Sequence, residues 1–424
     1  MKVSVYKRST CRLCEDTNIF LVVSLEPIPI AEKYLAYDQL DSDNHLYGID
    51  LYMCGGCGHV QIVDVIDPLV LWSPSFTFRS GQARVIVDHL FDVAEQTCAN
   101  YGIDEKSLVI DVGSNDGTLL KGFKQQGMTV LGVDPSAVIA KEAIRDGIPT
   151  IIDFLTDESA RTIASEYGEA RVVCCFNTFA HADDLSQLAR SIESLLAPDG
   201  IFVFEASYLI SIIDEMLIGA IIHEHLSHHS VKPLAQFLKK CGMELIHVER
   251  NEFQGGSLIG VAQKVGGPRG VEPCVAEFIQ FEVDHGYDKP ATVRALADRL
   301  VSLRREMESY MRRWRGEGAV VAGYGAARSG PTLIAQLGVG RDISFIVDDH
   351  PQKMGRYTPG DHIEVLPTEE LLKRMPDYTL VLAWIHARAI IGSNVEYLER
   401  GGRFVICLPR VQVIDRDNVG GYLP

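Results

Sequence analysis

The chain has 424 residues, 46% hydrophobic and 23% charged, the balance of an ordinary globular protein rather than a disordered or fibrous one. That length exceeds one ordinary core and predicts two or three domains. A formal net charge of -17 argues against nucleic acid as partner. No stretch reaches the roughly 20 apolar residues of a membrane span, and the polar start lacks an apolar leader, so a cytoplasmic protein is expected.

The first chemistry is in the cysteines, ten in all. In a cytoplasmic chain these are thiols or metal ligands rather than disulfides. Four form two pairs, Cys11-Arg-Leu-Cys14 and Cys54-Gly-Gly-Cys57. Two residues between cysteines let both sulfurs of a turn face one ion, and two such turns complete a tetrahedral zinc site. Free thiols are the alternative. Four protein ligands leave no open position, so this zinc is read as structural. The module is read as residues 1–80, closing on the aromatic stretch from Trp72 to Phe78. Cys98, Cys174, Cys175, Cys241, Cys274 and Cys407 read as small buried hydrophobes.

The middle unit is read as residues 81–285. Ser107 to Asp111 is a short apolar run, a buried parallel strand. It enters Gly113-Ser114-Asn115-Asp116-Gly117, and Thr118 opens a helix. Strand, glycine turn and helix make the first unit of a doubly wound sheet. A second strand, Thr129 to Asp134, ends in an acid about 20 residues after the turn, where it can accept both ribose hydroxyls of an adenosine. Asn115 stands where a dinucleotide site wants glycine for the pyrophosphate. A donor without phosphate, S-adenosylmethionine, removes that demand. NAD or a purely structural turn are the other readings. Asp153 and Phe154 close a third edge and can flank the adenine. Arg171 to Phe176 is a further strand, with Asn177, Thr178 and His181 at its C-terminal end, where such sheets bind ligands. Ile201 to Glu205 is another.

His223-Glu224-His225-Leu226-Ser227-His228-His229 holds four of the 13 histidines. Histidine can take or give a proton near neutral pH, and a neighbouring carboxylate can orient it. A polar loop and a second metal site remain as alternatives. Gln254-Gly255-Gly256-Ser257 predicts a bulge or a close backbone contact.

The C-terminal unit is read as residues 286–424. Pro290 to Arg315 is a long helix. Gly318 to Gly323 is a strand running into a second glycine turn, Gly323-Tyr324-Gly325-Ala326-Ala327-Arg328-Ser329-Gly330. A helix start of this kind can hold an anion, and Arg328 and Ser329 add donors; a structural turn is the alternative. Strands at Ile343 to Val347, Tyr378 to Ala383 and Arg403 to Leu408 complete a second, smaller doubly wound sheet. Asp348, Asp349, His350 and Lys353 follow the first of these.

The paired cysteines, Asp-Val-Gly-Ser-Asn-Asp-Gly-Thr-Leu-Leu, Gly-Val-Asp-Pro-Ser, Phe-Asn-Thr-Phe-Ala-His, His-Glu-His, Gly-Gly-Ser-Leu and Gly-Tyr-Gly-Ala-Ala occur in one order over essentially the whole chain. Together they resemble the nucleotide-sugar C-methyltransferases of deoxysugar pathways. The resemblance implies an α/β chain with an N-terminal zinc module, a central class I methyltransferase sheet and a smaller C-terminal α/β domain. It implies S-adenosylmethionine as donor and a thymidine-diphosphate-linked 4-keto sugar as acceptor, methylated at C3 through an enolate. It makes His225 the base, supported by Glu224, with His181 nearby. The donor site is expected to draw on Asp111, Gly113, Asn115, Gly117, Asp134, Asp153, Phe154 and Asn177. The acceptor side is expected to draw on Phe76, Ile222, His223, His228, Gln254, Arg328, Ser329 and Lys353. Where the family carries tyrosines, this chain has Ile222 and Phe76; where it carries histidine and arginine, this chain has Gln254 and Ile259. A methyltransferase with a diverged acceptor and a non-catalytic nucleotide-sugar binder are the competing readings. A monomer is compatible with all of them.

Overall fold

The computed structural model describes residues 4–41, 45–72 and 76–422; positions 73–75 of the aromatic stretch lie outside the described residues. The N-terminal part carries β1 (Val5–Lys7), β2 (Ile19–Val23), β3 (Leu51–Cys54), β4 (Val60–Ile62) and β5 (Asp64–Ile66). The middle carries β6 (Leu108–Val112), β7 (Thr129–Val133), β8 (Thr150–Ile151), β9 (Ala170–Phe176), β10 (Leu196–Ser207), β11 (Ser227–His228), β12 (Met243–Asn251) and β13 (Ser257–Lys264). The last part carries β14 (Val321–Tyr324), β15 (Ile343–Val347), β16 (Val365–Leu366), β17 (Tyr378–Val381), β18 (Phe404–Ile406) and β19 (Gln412–Ile414).

The central sheet has seven strands in the order β12-β13-β10-β9-β6-β7-β8. β10, β9, β6, β7 and β8 pair in parallel, whereas β13 runs antiparallel to both β10 and β12. All five residues of β6 are buried, because helices cover both faces of such a sheet and leave no polar side. The strand order reverses between β6 and β9, so a crevice opens beyond their C-terminal ends. This is the class I methyltransferase arrangement.

The C-terminal sheet has six strands in the order β16-β15-β14-β17-β18-β19, parallel except for the last pair. Its order reverses between β14 and β17. The helix Pro290–Glu317 leads into it, with proline in the first turn and Gly318 closing it in the left-handed region. Val293, Leu296, Leu300, Leu303, Met307, Met311 and Trp314 form its buried stripe, spaced three and four apart. No described helix is long and apolar enough to cross a membrane.

A third sheet has the order β11-β4-β3-β2 and carries the second cysteine pair at its rim. Its fourth strand is unexpected: β11 comes from the histidine-rich segment, with Ser227 opposite Gln61 and His228 opposite Val60. The zinc module therefore holds the histidine segment by backbone pairing.

Candidate active site

The four paired cysteines converge on one point. All four sulfurs lie within 4.8 Å of one another, with Cys11 and Cys57 at 3.6 Å and Cys14 and Cys54 at 3.4 Å. A tetrahedron with zinc–sulfur bonds of about 2.3 Å has edges of roughly 3.8 Å, so the set fits. The crowding is electrostatically costly without a cation. A hydrogen bond from Cys57 pulls the Cys11 thiol down to about 5, and the same contact pushes Cys57 upward.

One large cavity, about 1020 Å³, lies between the two doubly wound sheets and the N-terminal part, which lines it from β1, β5 and the segment through Phe78. The crevices of both doubly wound sheets open into it. From the central sheet come Gly113 and Asn115 after β6, Asp134 and Ser136 after β7, Asp153 and Phe154 after β8, and Asn177, Thr178 and His181 after β9. Gly113 takes a φ of 76°, and a Cβ there would stand 2.3 Å from Thr178 Oγ1. No side chain fits, so the backbone stays bare toward the cavity. The Asn115 amide donates to Asp134 Oδ2 at 2.8 Å, and the Ser136 amide donates to Oδ1 at 2.8 Å. These bonds orient the carboxylate and leave each oxygen a further lone pair for a ligand. Burial raises Asp134 above the usual carboxylate range.

Two expected donor residues stand elsewhere. Asp111 is in β6, behind the turn and absent from the cavity lining, with Oδ1 unpartnered and burial pushing its carboxyl up to about 7. Gly117 also lies outside the lining and starts the helix Thr118–Gln125, packed against Ile148. Both shape the turn from behind rather than facing the cavity.

The histidine segment divides. His225 lines the cavity and is half-buried. Its Nδ1 donates to the Ala220 carbonyl at 2.7 Å, so in the neutral ring Nε2 keeps the lone pair. Burial, with Arg328 adding to it, lowers its pKa to about 4. His181 stacks on it with ring centres 5.1 Å apart and is itself held well below the ordinary value by burial. Glu224 is 2% exposed, absent from the lining, and pairs with Arg328 at 3.4 Å; His225 has a backbone carbonyl at Nδ1 instead. The expected carboxylate-to-imidazole support is corrected accordingly. His223 and His228 are also corrected: neither lines the cavity. His223 contacts the Tyr47 carbonyl at 3.3 Å, and His228 is buried in β11 against the zinc module. Among the described residues, the segment forms no cluster of three metal ligands.

On the far wall, Phe76, Ile222, Gln254, Arg328, Ser329 and Lys353 all face the cavity. Lys353 Nζ donates to the Ala326 carbonyl at 2.9 Å and pairs with Glu32 at 3.3 Å. At the start of the helix Gly330–Leu337, Ala327, Arg328 and Ser329 line the cavity. Thr332 Oγ1 donates to the Ile221 carbonyl at 3.0 Å, and Ser329 packs against Gly219, so the chain around Ile218–Ala220 lies beside that helix.

The sequence places Asp348 after a strand but assigns it no role; in the structure it accepts the amides of Ala326 and His350 at 2.7 Å each. Its signal was available: an acid after the second strand, as with Asp134. The sequence also assigns no role to Glu205, fully buried, which takes His89 Nε2 at 3.0 Å and Asn251 Nδ2 at 2.9 Å. His89 stacks on Phe253, 3.9 Å between centres, bracing the loop that carries Gln254.

Family models match along most of the chain. A zinc binding domain covers residues 11–72, a methyltransferase domain 87–248, and a C-methyltransferase C-terminal domain 252–409. The C-methyltransferase NovU of Streptomyces niveus is 32% identical over 409 residues, 96% of this chain and 97% of that protein. A ubiquinone biosynthesis O-methyltransferase of Escherichia coli is 29% identical over 96 residues, 22% of this chain and 39% of that protein. Among solved structures, a magnesium protoporphyrin IX methyltransferase from Synechocystis aligns with a TM-score of 0.34 and 18% identity, over 42% of this chain and 83% of that one.

Proposed function

The chain belongs to the S-adenosylmethionine-dependent C-methyltransferases with an N-terminal zinc-binding domain, and from that premise we propose that it methylates C3 of a 4-keto deoxysugar nucleotide. The observation that carries this reading is the meeting of a bare glycine turn and a base-competent histidine in one cavity. The unit read as 81–285 supplies the donor side, and the unit from 286 completes the acceptor side.

S-adenosylmethionine supplies an electrophilic methyl group when bound. Gly113 lets its body approach the backbone, and Asp134 takes the ribose hydroxyls with its spare lone pairs. Asn115 holds Asp134 in place, while Asp153, Phe154 and Asn177 flank the site. Cys11, Cys14, Cys54 and Cys57 would hold the zinc, which would fix the turn between β3 and β4; β4 in turn pairs with β11 of the histidine segment. On the acceptor side, a carbonyl acidifies the neighbouring C–H. His225 Nε2 takes that proton, and the carbon becomes nucleophilic. The fixed Nδ1 bond to Ala220 keeps the ring in the required tautomer. The ring's low pKa keeps it unprotonated at neutral pH. His181 stacks beside it and limits its rotation. Phe76, Ile222, Gln254, Ser329 and Lys353 wall the sugar nucleotide, with thymidine diphosphate as the expected carrier.

Ile222 and Phe76 bring no hydroxyl to this wall, which motivates a second reading with a different carbon acid as acceptor. Mass spectrometry after incubation with S-adenosylmethionine and a panel of acceptors, thymidine-diphosphate 4-keto sugars and other carbon acids without a 4-keto group, separates the two. A product heavier by one methylene supports the sugar. Methylation only of acceptors without a 4-keto group removes it.

A further inference from the structure

Arg328 sits on the second glycine turn, yet its side chain reaches toward the histidine segment rather than toward its own helix end. Its guanidinium carbon lies 5.4 Å from the Phe76 ring centre and 5.8 Å from that of Phe78. The two aromatic rings thus fix the plane of the fork. Its Nη2 is 3.4 Å from Glu224 Oε1, an ion pair without hydrogen-bond geometry. Among the described residues, Nε and Nη2 are buried with no hydrogen-bond partner. Buried guanidinium donors left idle on a half-buried side chain are expensive unless a ligand takes them. The residue lines the same cavity as His225 and His181, and its charge acts on both rings.

The sequence predicts an anion at this turn, and a thymidine-diphosphate acceptor would bring a diphosphate. The geometry points elsewhere. A diphosphate seated here would face the buried Glu224 carboxylate at the same guanidinium. A single charge that forms beside the base needs only one or two donors, and those are what stand idle. The two hydroxyl-free positions, Phe76 and Ile222, line this part of the wall.

We propose that Arg328 is the oxyanion donor of the enolisation: its guanidinium donates to the acceptor's carbonyl oxygen and holds the charge that forms there when His225 removes the neighbouring proton. This rests on the function proposed above. The balance is simple. The C–H pair becomes the C=C bond, the carbonyl π pair moves to oxygen, and the proton goes to His225 Nε2. Oxygen gains one negative charge and the imidazole one positive charge. A fixed cation lowers the energy of the first without any reorganisation at that moment. Glu224, on the other side of the fork, tempers the repulsion between Arg328 and the new imidazolium, since it favours protonated His225.

The test is deuterium uptake at C3 of thymidine-diphosphate 4-keto-6-deoxyglucose in heavy water, with zinc-loaded full chain and S-adenosylhomocysteine present. Wild type exchanges the C3 hydrogen. R328M slows exchange about 100-fold, as removal of one oxyanion donor does elsewhere, with KM changed by less than about threefold. R328K keeps the charge and recovers part of the rate, and its thermal melting temperature reports whether the fold survives. The double variant E224Q/R328M stays as slow as R328M. Exchange at the wild-type rate in R328M overturns the inference. So does recovery in the double variant, which would mean that Arg328 only neutralises Glu224. Should R328M fail to fold, R328K decides: a full wild-type rate without the planar fork overturns the assigned hydrogen bonds, and a reduced rate supports them. No exchange by wild type that still binds S-adenosylhomocysteine overturns the sugar reading and this inference with it.

Discussion

The two glycine turns invite direct comparison because the chain builds them alike and uses them differently. Each follows the first strand of a doubly wound sheet, at the point where strand order reverses. Each has an acid after the next strand that accepts two backbone amides: Asp134 from Asn115 and Ser136, Asp348 from Ala326 and His350. Both open on one cavity. At the first turn the backbone is bare. At the second, the Ala326 carbonyl is taken by Tyr34 Oη and Lys353 Nζ, each at 2.9 Å, and Arg328 projects away toward Glu224. One turn offers backbone to a flat ligand, and the other offers side chains. A shared backbone device therefore does not fix a shared ligand; what fills the crevice decides.

The comparison also divides the titratable groups. His59, His181, His223, His225, His228 and His229 are all lowered by burial, and none lies in the first turn. Their sign is definite. Folded values fall below the unfolded value near 6.5, to about 4 for His225 and His229 and about 3 for His228. The unfolded chain then binds more protons than the folded one below pH 6.5. Stability is lost as pH falls through that window and is flat above it as far as these groups go. Each histidine adds up to about 1.4 kcal/mol per pH unit, so together they make the largest expected effect. Acid titration followed by circular dichroism should show unfolding well above the carboxylate range. A melting temperature unchanged between pH 7 and pH 5 would contradict the burial of these rings.

Next in size is His225→Ala. Loss of the base should lower kcat by about 100- to 10,000-fold while S-adenosylhomocysteine affinity, measured by calorimetry, stays within about threefold. Asp134→Ala against Asp348→Ala puts the two acids in opposition. The first should weaken donor binding by about 10- to 100-fold through loss of charge-assisted hydrogen bonds, whereas the second should leave donor affinity within about threefold. Equal losses would erase the distinction between the turns. The smallest effect opposes two glycines. Gly113→Ala meets Thr178 at 2.3 Å in a left-handed conformation and should cost about 1–3 kcal/mol in denaturant unfolding. Gly330→Ala meets nothing within 4 Å and should stay within about 0.5 kcal/mol.

Much of this was legible in the sequence. The cysteine pairs, both strand-turn-helix units and the helix Pro290–Glu317 announce themselves through spacing and period, which are local properties. The β11 pairing was not legible, because two residues carry no periodicity and the partner strand lies far upstream. The Arg328–Glu224 pair was hidden for the same reason: nothing local at either position names the other. His225 stood out by composition, but its orienting partner is a backbone carbonyl, which every residue has. Glu224 was the nearest visible carboxylate, and proximity in sequence suggested a contact that the fold does not make.

The account stands on carbon methylation inside the shared cavity. The most direct measurement is carbon NMR of the product formed from a methyl-labelled donor and a thymidine-diphosphate 4-keto sugar. The account predicts that the labelled methyl shows one-bond coupling to ring carbon C3, and that His225→Ala abolishes the signal. A label found on oxygen or nitrogen, or on a carbon remote from the carbonyl, would contradict it.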